Sequence, residues 1–562
     1  MAPRRRQREQ PAWLAPLQSA LVEALPRLYG ATASPGLAAL IADLVTALEQ
    51  GRLSIPLPPE LPPELAPELA PELAADALAA TALCRDPDGP LVIVADQLSW
   101  RRWHDLRESV LSALLERVRP LDIAEPTPAP LAPAGHARDT TAPIPGSSVG
   151  PTATATLDAR QYQAVEAVQT HRLVLLQGGP GTGKTSTVAR MLAAALERDP
   201  ATRVQLAAPT GKAAARLRAA TGGRHPCGTL HRLLESRGDH FARNRHHPLP
   251  LDLLVVDEVS MVDLALMAAL LEALPASARL VLVGDPAQLP PIAPGAVLLD
   301  LQQPDLQACL GDAAITLTTT YRNNGAIAAV ATALRDAAAP PAHGGGIAPP
   351  ASGSGIAPLP LIQPLLEGLG PNDNLAWRQE IGGRLPAGVL TRLRSQLGAL
   401  AEKAARCRPA APDGWQALLA ERDRLLVLSP VRRGPWGVDA IHRAVLGETA
   451  SGPAASWPEG LPVLCTRNLP ELGLANGDVG VLVGRADSDD RQILFGGEKP
   501  LWVHPAQLAG AAEPALALTV HKAQGSEAAE VIVLLGDAEP DGRLLYTALT
   551  RARDRAELIT PS

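Results

Sequence analysis

Gly178-Gly179-Pro180-Gly181-Thr182-Gly183-Lys184-Thr185 holds the most concentrated chemistry in this chain. Glycines at that density let backbone N–H groups turn inward on an anion, and a helix starting at the end of the run adds positive potential. Lys184 can then reach the β- and γ-phosphates of a nucleotide, and the Thr185 hydroxyl can hold Mg2+. Two later clusters fit the same chemistry. Asp257-Glu258 closes the apolar run Leu253-Leu254-Val255-Val256. Asp257 can hold Mg2+ through water, and Glu258 can act as general base on an attacking water. Gln288, in Gly284-Asp285-Pro286-Ala287-Gln288-Leu289-Pro290-Pro291, is placed to sense the γ-phosphate or that water. Alone, the acid pair reads as a solvated strand end, while a proline-rich turn is the lesser alternative for the last segment. Downstream of a phosphate-binding loop they read as the rest of an ATP site.

The elements that must position these residues are visible around them. The run Leu173-Leu176 precedes the glycine loop and a helical pattern, Ser186 to Leu196, follows it. Strand, glycine loop and helix are the context this loop requires. Leu280-Val283 is a further buried strand, and ligands of open α/β sheets sit at strand carboxyl ends. At 562 residues the chain is too long for one core. No apolar run is long enough to cross a bilayer, so a soluble protein without membrane contact is expected. The five cysteines are scattered with no C-x-x-C pair, which indicates neither a zinc site nor a disulfide framework and points to a reducing cytoplasm. A net charge of −7 argues against a generally basic nucleic-acid binder but leaves room for a local basic channel.

Composition punctuates the chain. Residues 12–125 look mostly helical, and within them Pro59 to Leu73 is a Pro-Glu-Leu tandem repeat too rich in proline for a continuous helix. Residues 126–156, rich in Pro, Ala, Gly, Ser and Thr, read as a flexible boundary, and Ala337 to Pro360 as a second one interrupting the ATPase region.

With these segments in order, the sequence resembles the superfamily 1 helicases, in their RecD-like branch. Gly178 to Thr185 matches the Walker A motif, Asp257-Glu258-Val259-Ser260-Met261 motif II, and Gly284 to Pro291 motif III. Thr320-Tyr321-Arg322-Asn323-Asn324 looks like motif IV, Leu518 to Glu527 like motif V, and Tyr546 to Arg553 like motif VI; Ala208-Pro209-Thr210-Gly211-Lys212-Ala213-Ala214 is similar to motif Ia. The resemblance implies an α/β fold of two RecA-like P-loop motor domains, with a small β-rich SH3-like insert and a mostly helical N-terminal domain. The expected bounds are 1–125 for the N-terminal domain, 126–156 for a linker, and 157–336 for the first motor with a hairpin at 235–250. A linker with a helical insert at 337–420 and a second motor at 421–562, its insert at about 445–512, complete them. It further implies that Gln161 pairs with adenine, that Glu527 touches the ribose, and that Arg322 and Arg551 reach the γ-phosphate from the second motor. Pro209, Thr210, Lys212, Thr519, His521 and Lys522 would line a single-strand track, with a buried structural histidine as the lesser alternative for His521.

The basic stretch 235–250 looks like the family's duplex-splitting hairpin, with a solvated loop as the alternative. Self-standing RecD-like helicases carry helix-hairpin-helix repeats at the N-terminus, and no clear repeats of that kind appear here. Leu40 to Leu57 and Pro90 to Trp103 look instead like the N-terminal domain of the helicase subunit in exodeoxyribonuclease V, RecBCD. The implied function is ATP-dependent 5′–3′ unwinding from duplex-end DNA onto single strands, beside RecB-like and RecC-like subunits, in double-strand break repair by homologous recombination. A self-standing helicase and a P-loop switch protein that does not move on DNA stay open. Trp100 and Trp103 are expected either to anchor a partner or to fill this module's own core, and residues 1–125 are expected to be dispensable for ATP turnover.

Overall fold

The computed structural model describes residues 13–31, 33–57, 82–118, 157–238, 240–321, 325–338, 358–407, 412–484, 491–497, 499–536 and 541–562. The Pro-Glu-Leu repeat, the 126–156 stretch and Arg322 lie outside them.

The first motor is built on a six-stranded parallel sheet. Its order is Ala314–Leu317, Leu173–Gly178, Arg279–Gly284, Leu253–Val256, Val204–Ala208 and Cys227–Thr229. Strands covered on both faces read as unbroken apolar runs, and Leu173–Gly178 and Leu253–Val256 are buried at every position. Alternate residues serve opposite faces. Val174 and Leu176 meet Ala164, Val168, Val188 and Met191 of the helices Ala159–Thr170 and Lys184–Arg198. Leu173 and Leu175 meet Met267 and Leu270 of the helix Leu264–Ala273.

The second motor carries a five-stranded parallel sheet, in the order Leu375–Glu380, Ala552–Pro561, Ala528–Leu534, Leu425–Ser429 and Ala517–Thr519. Two expected boundaries move. Ile327, Val330 and Leu334 of the helix Ala326–Ala338 are buried in this second core, so the first motor ends before 326 rather than at 336. Within the expected 337–420 linker, Leu375–Glu380 is an edge strand of the second sheet and Ala387–Arg406 covers its other face through Val389 and Leu393. The Ala/Pro/Gly run suggested a domain break, but the burial of apolar residues on either side decides the boundary. A five-stranded antiparallel sheet, Leu501–Val503, Gln492–Phe495, Val479–Val483, Pro462–Cys465 and Ala512–Pro514, packs on this motor and shares its core.

The N-terminal part has the helices Leu14–Tyr29 and Pro35–Glu49 over an antiparallel sheet of Ser54–Pro56, Gln97–Trp100 and Leu91–Val94. The helix Arg101–Glu116 then leaves it, burying Val110, Leu111 and Leu114 in the first motor's core. Trp100 packs into the N-terminal core and Trp103 against the motor core. Both tryptophans are therefore structural, and the expected boundary at 125 cuts through a shared core. In the 235–250 segment, Ser236–Arg237 and His240–Phe241 form a short hairpin with Arg237 and His240 exposed at its tip.

Candidate nucleotide cleft and strand interface

The glycine loop leaves the carboxyl end of the strand Leu173–Gly178 with left-handed backbone at Gly181 and Gly183, φ 75° and 83°. A Cβ on Gly183 would lie 2.8 Å from the Gln161 Nε2, and one on Gly178 2.6 Å from the Thr182 Oγ1. Larger residues would fill the cradle. Lys184 opens the helix Lys184–Arg198, and its Nζ donates to the Gly178 and Gly179 carbonyls at 2.6 and 3.0 Å. The lysine is thus folded back over the loop, poised where phosphate oxygens would replace those carbonyls.

Gln161 sits beside this loop, buried, in a capping box with Asp158: its backbone N–H donates to the Asp158 Oδ1 at 2.8 Å and its Oε1 accepts from the Asp158 N–H at 3.1 Å. Tyr321 closes the same corner. Its N–H donates to the Gly181 carbonyl at 2.9 Å, its hydroxyl to Asp158 at 2.9 Å, and its ring stays 54% exposed. An open aromatic face next to a fixed amide suits a nucleobase.

On the acid side, Glu258 adopts φ 54°, a strained left-handed conformation for this residue. Its N–H donates to the Asp257 Oδ1 at 2.9 Å. Burial, then the neighbouring Glu258 carboxylate, pushes the Asp257 carboxyl up, against Lys184 and Arg216. At the neighbouring strand end Asp285, 1% exposed, accepts from the Ala287 N–H at 3.1 Å and the Gln288 Nε2 at 3.3 Å. Gln177 Nε2, Ser260 Oγ and Gln288 Oε1 are buried without a hydrogen-bond partner. All three follow or end the central strands, so the sheet's carboxyl edge holds unsatisfied polar atoms where a polar ligand belongs.

The second motor closes the cleft through motifs V and VI. Tyr546, on the helix Gly542–Leu549, donates to the Asp285 Oδ2 at 2.8 Å, and a Cβ on Gly179 would lie 3.2 Å from its hydroxyl. The Thr547 Oγ1 accepts from the Leu289 N–H at 2.9 Å, the Gln524 Nε2 donates to the Leu289 carbonyl at 3.1 Å, and Arg543 donates to the Pro286 carbonyl. Arg551 is 3% exposed, and its Nε donates to the Thr547 carbonyl at 3.0 Å within its own motor. Its guanidinium does not meet the glycine loop in this arrangement.

Lys212 and Glu527 also stand elsewhere than expected. Lys212 does not face an open track: its Nζ donates to the Ser526 Oγ at 2.9 Å across the two motors. Burial, then Arg422, pushes it down to about 8. Glu527, expected on the ribose, pairs with Arg216 at 2.5 Å. Burial works against the Arg216 charge, but Glu527, Glu258 and Asp257 outweigh it and hold the guanidinium above its ordinary range. Lys212 and Arg216 are four apart on the helix Gly211–Ala220, hence on one face, gripping one loop of the opposite motor. Arg216 was not singled out from the sequence, although its i, i+4 spacing from Lys212 could have found it. Nothing local in the sequence marks Tyr546, Arg543 or Asp285 as cross-cleft partners. Thr210 caps the same helix, accepting from the Ala213 N–H at 3.2 Å, with Pro209 before it. Thr519 and His521 are half-buried, and the Lys522 Nζ donates to Glu513 at 3.0 Å.

Residues 161–294 match an AAA domain family and residues 514–559 a UvrD-like helicase C-terminal domain. The RecBCD enzyme subunit RecD of Mycolicibacterium smegmatis is 39% identical over 433 residues, covering 71% of this chain and 70% of that one. The ATP-dependent RecD2 DNA helicase of Deinococcus radiodurans is 34% identical over 419 residues, 71% of this chain but 48% of its own length. A Bacteroides Pif1 structure bound to single-stranded DNA aligns over 72% of this chain and 92% of that one, at 17% identity and a TM-score of 0.38. The extent and identity of the match to the M. smegmatis relative place the chain in the RecD family of ATP-dependent DNA helicases.

Proposed function

We propose that this helicase is the 5′–3′ motor subunit of a RecBCD-type helicase/nuclease, exodeoxyribonuclease V, working with RecB-like and RecC-like subunits on duplex-end DNA in double-strand break repair by homologous recombination. The observation that carries the reading is the extent of similarity: the RecBCD subunit of M. smegmatis is matched over 70% of its length, the RecD2 helicase over only 48% of its own. An apolar face exposed among the described residues supports it. Trp13, Leu17 and Leu28, at the first helix, are 54%, 42% and 69% exposed, and tryptophan is among the residues that carry most interface energy. That face, rather than Trp100 and Trp103, is where a partner would dock. Among the described residues no helix is long and apolar enough to cross a membrane.

In the cleft, Gly178 to Thr185 hold the triphosphate and Lys184 leaves the Gly178 and Gly179 carbonyls for its oxygens. Mg2+ suits the Thr185 hydroxyl and Asp257 because it takes few protein ligands beside phosphate and water, and when bound it neutralises the charge developing in phosphoryl transfer. Glu258 takes the proton of the attacking water and Gln288 orients that water. Tyr321 stacks on the base beside Gln161. Glu527 reaches the ribose only after releasing Arg216, and Arg551 and Arg322 arrive at the γ-phosphate as the motors close. Pro209, Thr210, Thr519, His521 and Lys522 carry the single strand.

Glu258→Gln keeps the size and removes the base. It should slow ATP turnover on the order of a hundred- to a thousandfold while ATP and DNA still bind. Single-turnover hydrolysis against nucleotide-binding titrations tests this, and loss of binding would assign Glu258 to structure or metal instead. The subunit reading is tested by purifying the chain from its native cell. RecB-like and RecC-like chains should co-purify stoichiometrically; a lone, active 5′–3′ helicase would establish the self-standing reading.

A further inference from the structure

At the carboxyl edge of the second sheet, the strands Leu425–Ser429 and Ala517–Thr519 run parallel, with Ser429 opposite Thr519. Ligands of such sheets gather beyond these ends. From the first strand rises the turn 431–439, closed by Val438 N–H to the Val431 carbonyl at 3.3 Å and Asp439 N–H to the Arg432 carbonyl at 3.0 Å. A Cβ on Gly437 would lie 2.7 Å from the Arg432 carbonyl oxygen, so this tight turn needs its glycine. Arg432 therefore stands on a rigid base. From the second strand the short turn His521–Ala523 presents Lys522.

Both cations converge on one carboxylate. The Arg432 Nη1 and Nη2 donate to the two Glu513 oxygens at 3.1 and 3.0 Å, and the Lys522 Nζ donates to the Oε2 at 3.0 Å. Asp439 braces the Arg432 Nε at 3.3 Å. Burial opposes the Glu513 charge, and the hydrogen bonds from Arg432 and Lys522 overcome it. Two oxygens held by a guanidinium fork and an ammonium is an arrangement a phosphate diester can also satisfy, since carboxylate and phosphate accept the fork in the same bidentate way. The group in place belongs to the chain itself, on the strand Ala512–Pro514 of the antiparallel sheet.

We propose that Arg432 and Lys522 form a single seat for a backbone phosphate of single-stranded nucleic acid, and that Glu513 fills this seat until the strand displaces it. The inference rests on the strand-tracking reading above. It adds Arg432 to the phosphate contacts and makes Glu513 an internal competitor, which lowers affinity for every sequence alike. Each phosphate step past the seat then exchanges one anion for another without leaving two cations bare.

The test is a salt series of fluorescent oligo(dT) titrations on the full chain. Glu513→Gln should bind roughly fivefold tighter, the scale expected when two half-exposed ion pairs no longer compete. Its plot of log affinity against log salt should keep the wild-type slope, because the same phosphate is neutralised in both chains. In the Arg432→Gln, Lys522→Gln background the same change should gain nothing. A Glu513→Gln chain with unchanged or weaker binding overturns the seat, because a merely structural glutamate predicts that outcome. Arg432→Gln gives an independent reading: it should weaken binding and flatten the salt slope, and unchanged affinity there also overturns the seat. A wild-type chain that binds no oligo(dT) overturns the strand-tracking reading, and the seat falls with it.

Discussion

Lys184→Ala should lower ATP turnover on the order of a thousandfold, the scale for removing one charged donor from a site that works by electrostatic stabilisation. The lysine is the one cation of the P-loop itself, and it is held over that loop by two carbonyls, at 2.6 and 3.0 Å, that it must exchange for phosphate oxygens. Phosphoryl transfer leaves little covalent work to the protein, so positioning and charge are most of what can be lost. The substitution costs two hydrogen bonds to loop carbonyls and buries nothing new, so the fold should persist, with near-normal circular dichroism and oligo(dT) binding. Steady-state hydrolysis with and without single-stranded DNA checks it. Turnover near the wild-type rate would mean that this loop is not where ATP reacts.

The parts of this site legible in the sequence are those whose chemistry is local. A glycine loop needs its glycines in a row, so Gly178 to Lys184 could be read directly, and the buried strands before Asp257 and Asp285 announced themselves as unbroken apolar runs. The parts that were not legible are pairings between distant segments. Arg216 meets Glu527, 311 positions away, and Tyr546 meets Asp285 across 261; no spacing rule reaches that far. Lys212 illustrates the same limit, since a lysine after a Pro-Thr-Gly turn suits a phosphate track until Ser526 is seen against its Nζ. The domain boundaries moved for a related reason. Proline and glycine mark where a chain can bend, whereas a domain is set by which apolar residues share a core, and Val110 and Leu334 sit in cores their flanking sequence did not suggest.

Removing residues 1–118 should destroy the motor, whereas removing 1–100 should spare its ATPase. The difference is the helix Arg101–Glu116. Val110, Leu111 and Leu114 are 2%, 5% and 0% exposed and lie with Leu254, Val256, Met267 and Leu270 in one cluster. Arg117 donates to the Leu274, Pro275 and Ala278 carbonyls at 3.0 to 3.1 Å, and Arg107 pairs with the half-buried Asp300 at 3.1 Å. A fragment starting at 119 would expose that face of the sheet and leave the Asp300 carboxylate without its cation, a combination that costs more than a domain's usual stability margin. A fragment starting at 101 keeps these contacts and loses mainly the separate core around Ile41, Leu44 and Leu98. The point variant Leu114→Ala should destabilise the full chain by about 3 kcal/mol, within the range for a fully buried leucine. It should appear as a lower first unfolding transition, with ATP turnover retained at low temperature. Soluble, DNA-stimulated ATPase from the 119–562 fragment would contradict this packing and return the helix to the N-terminal module.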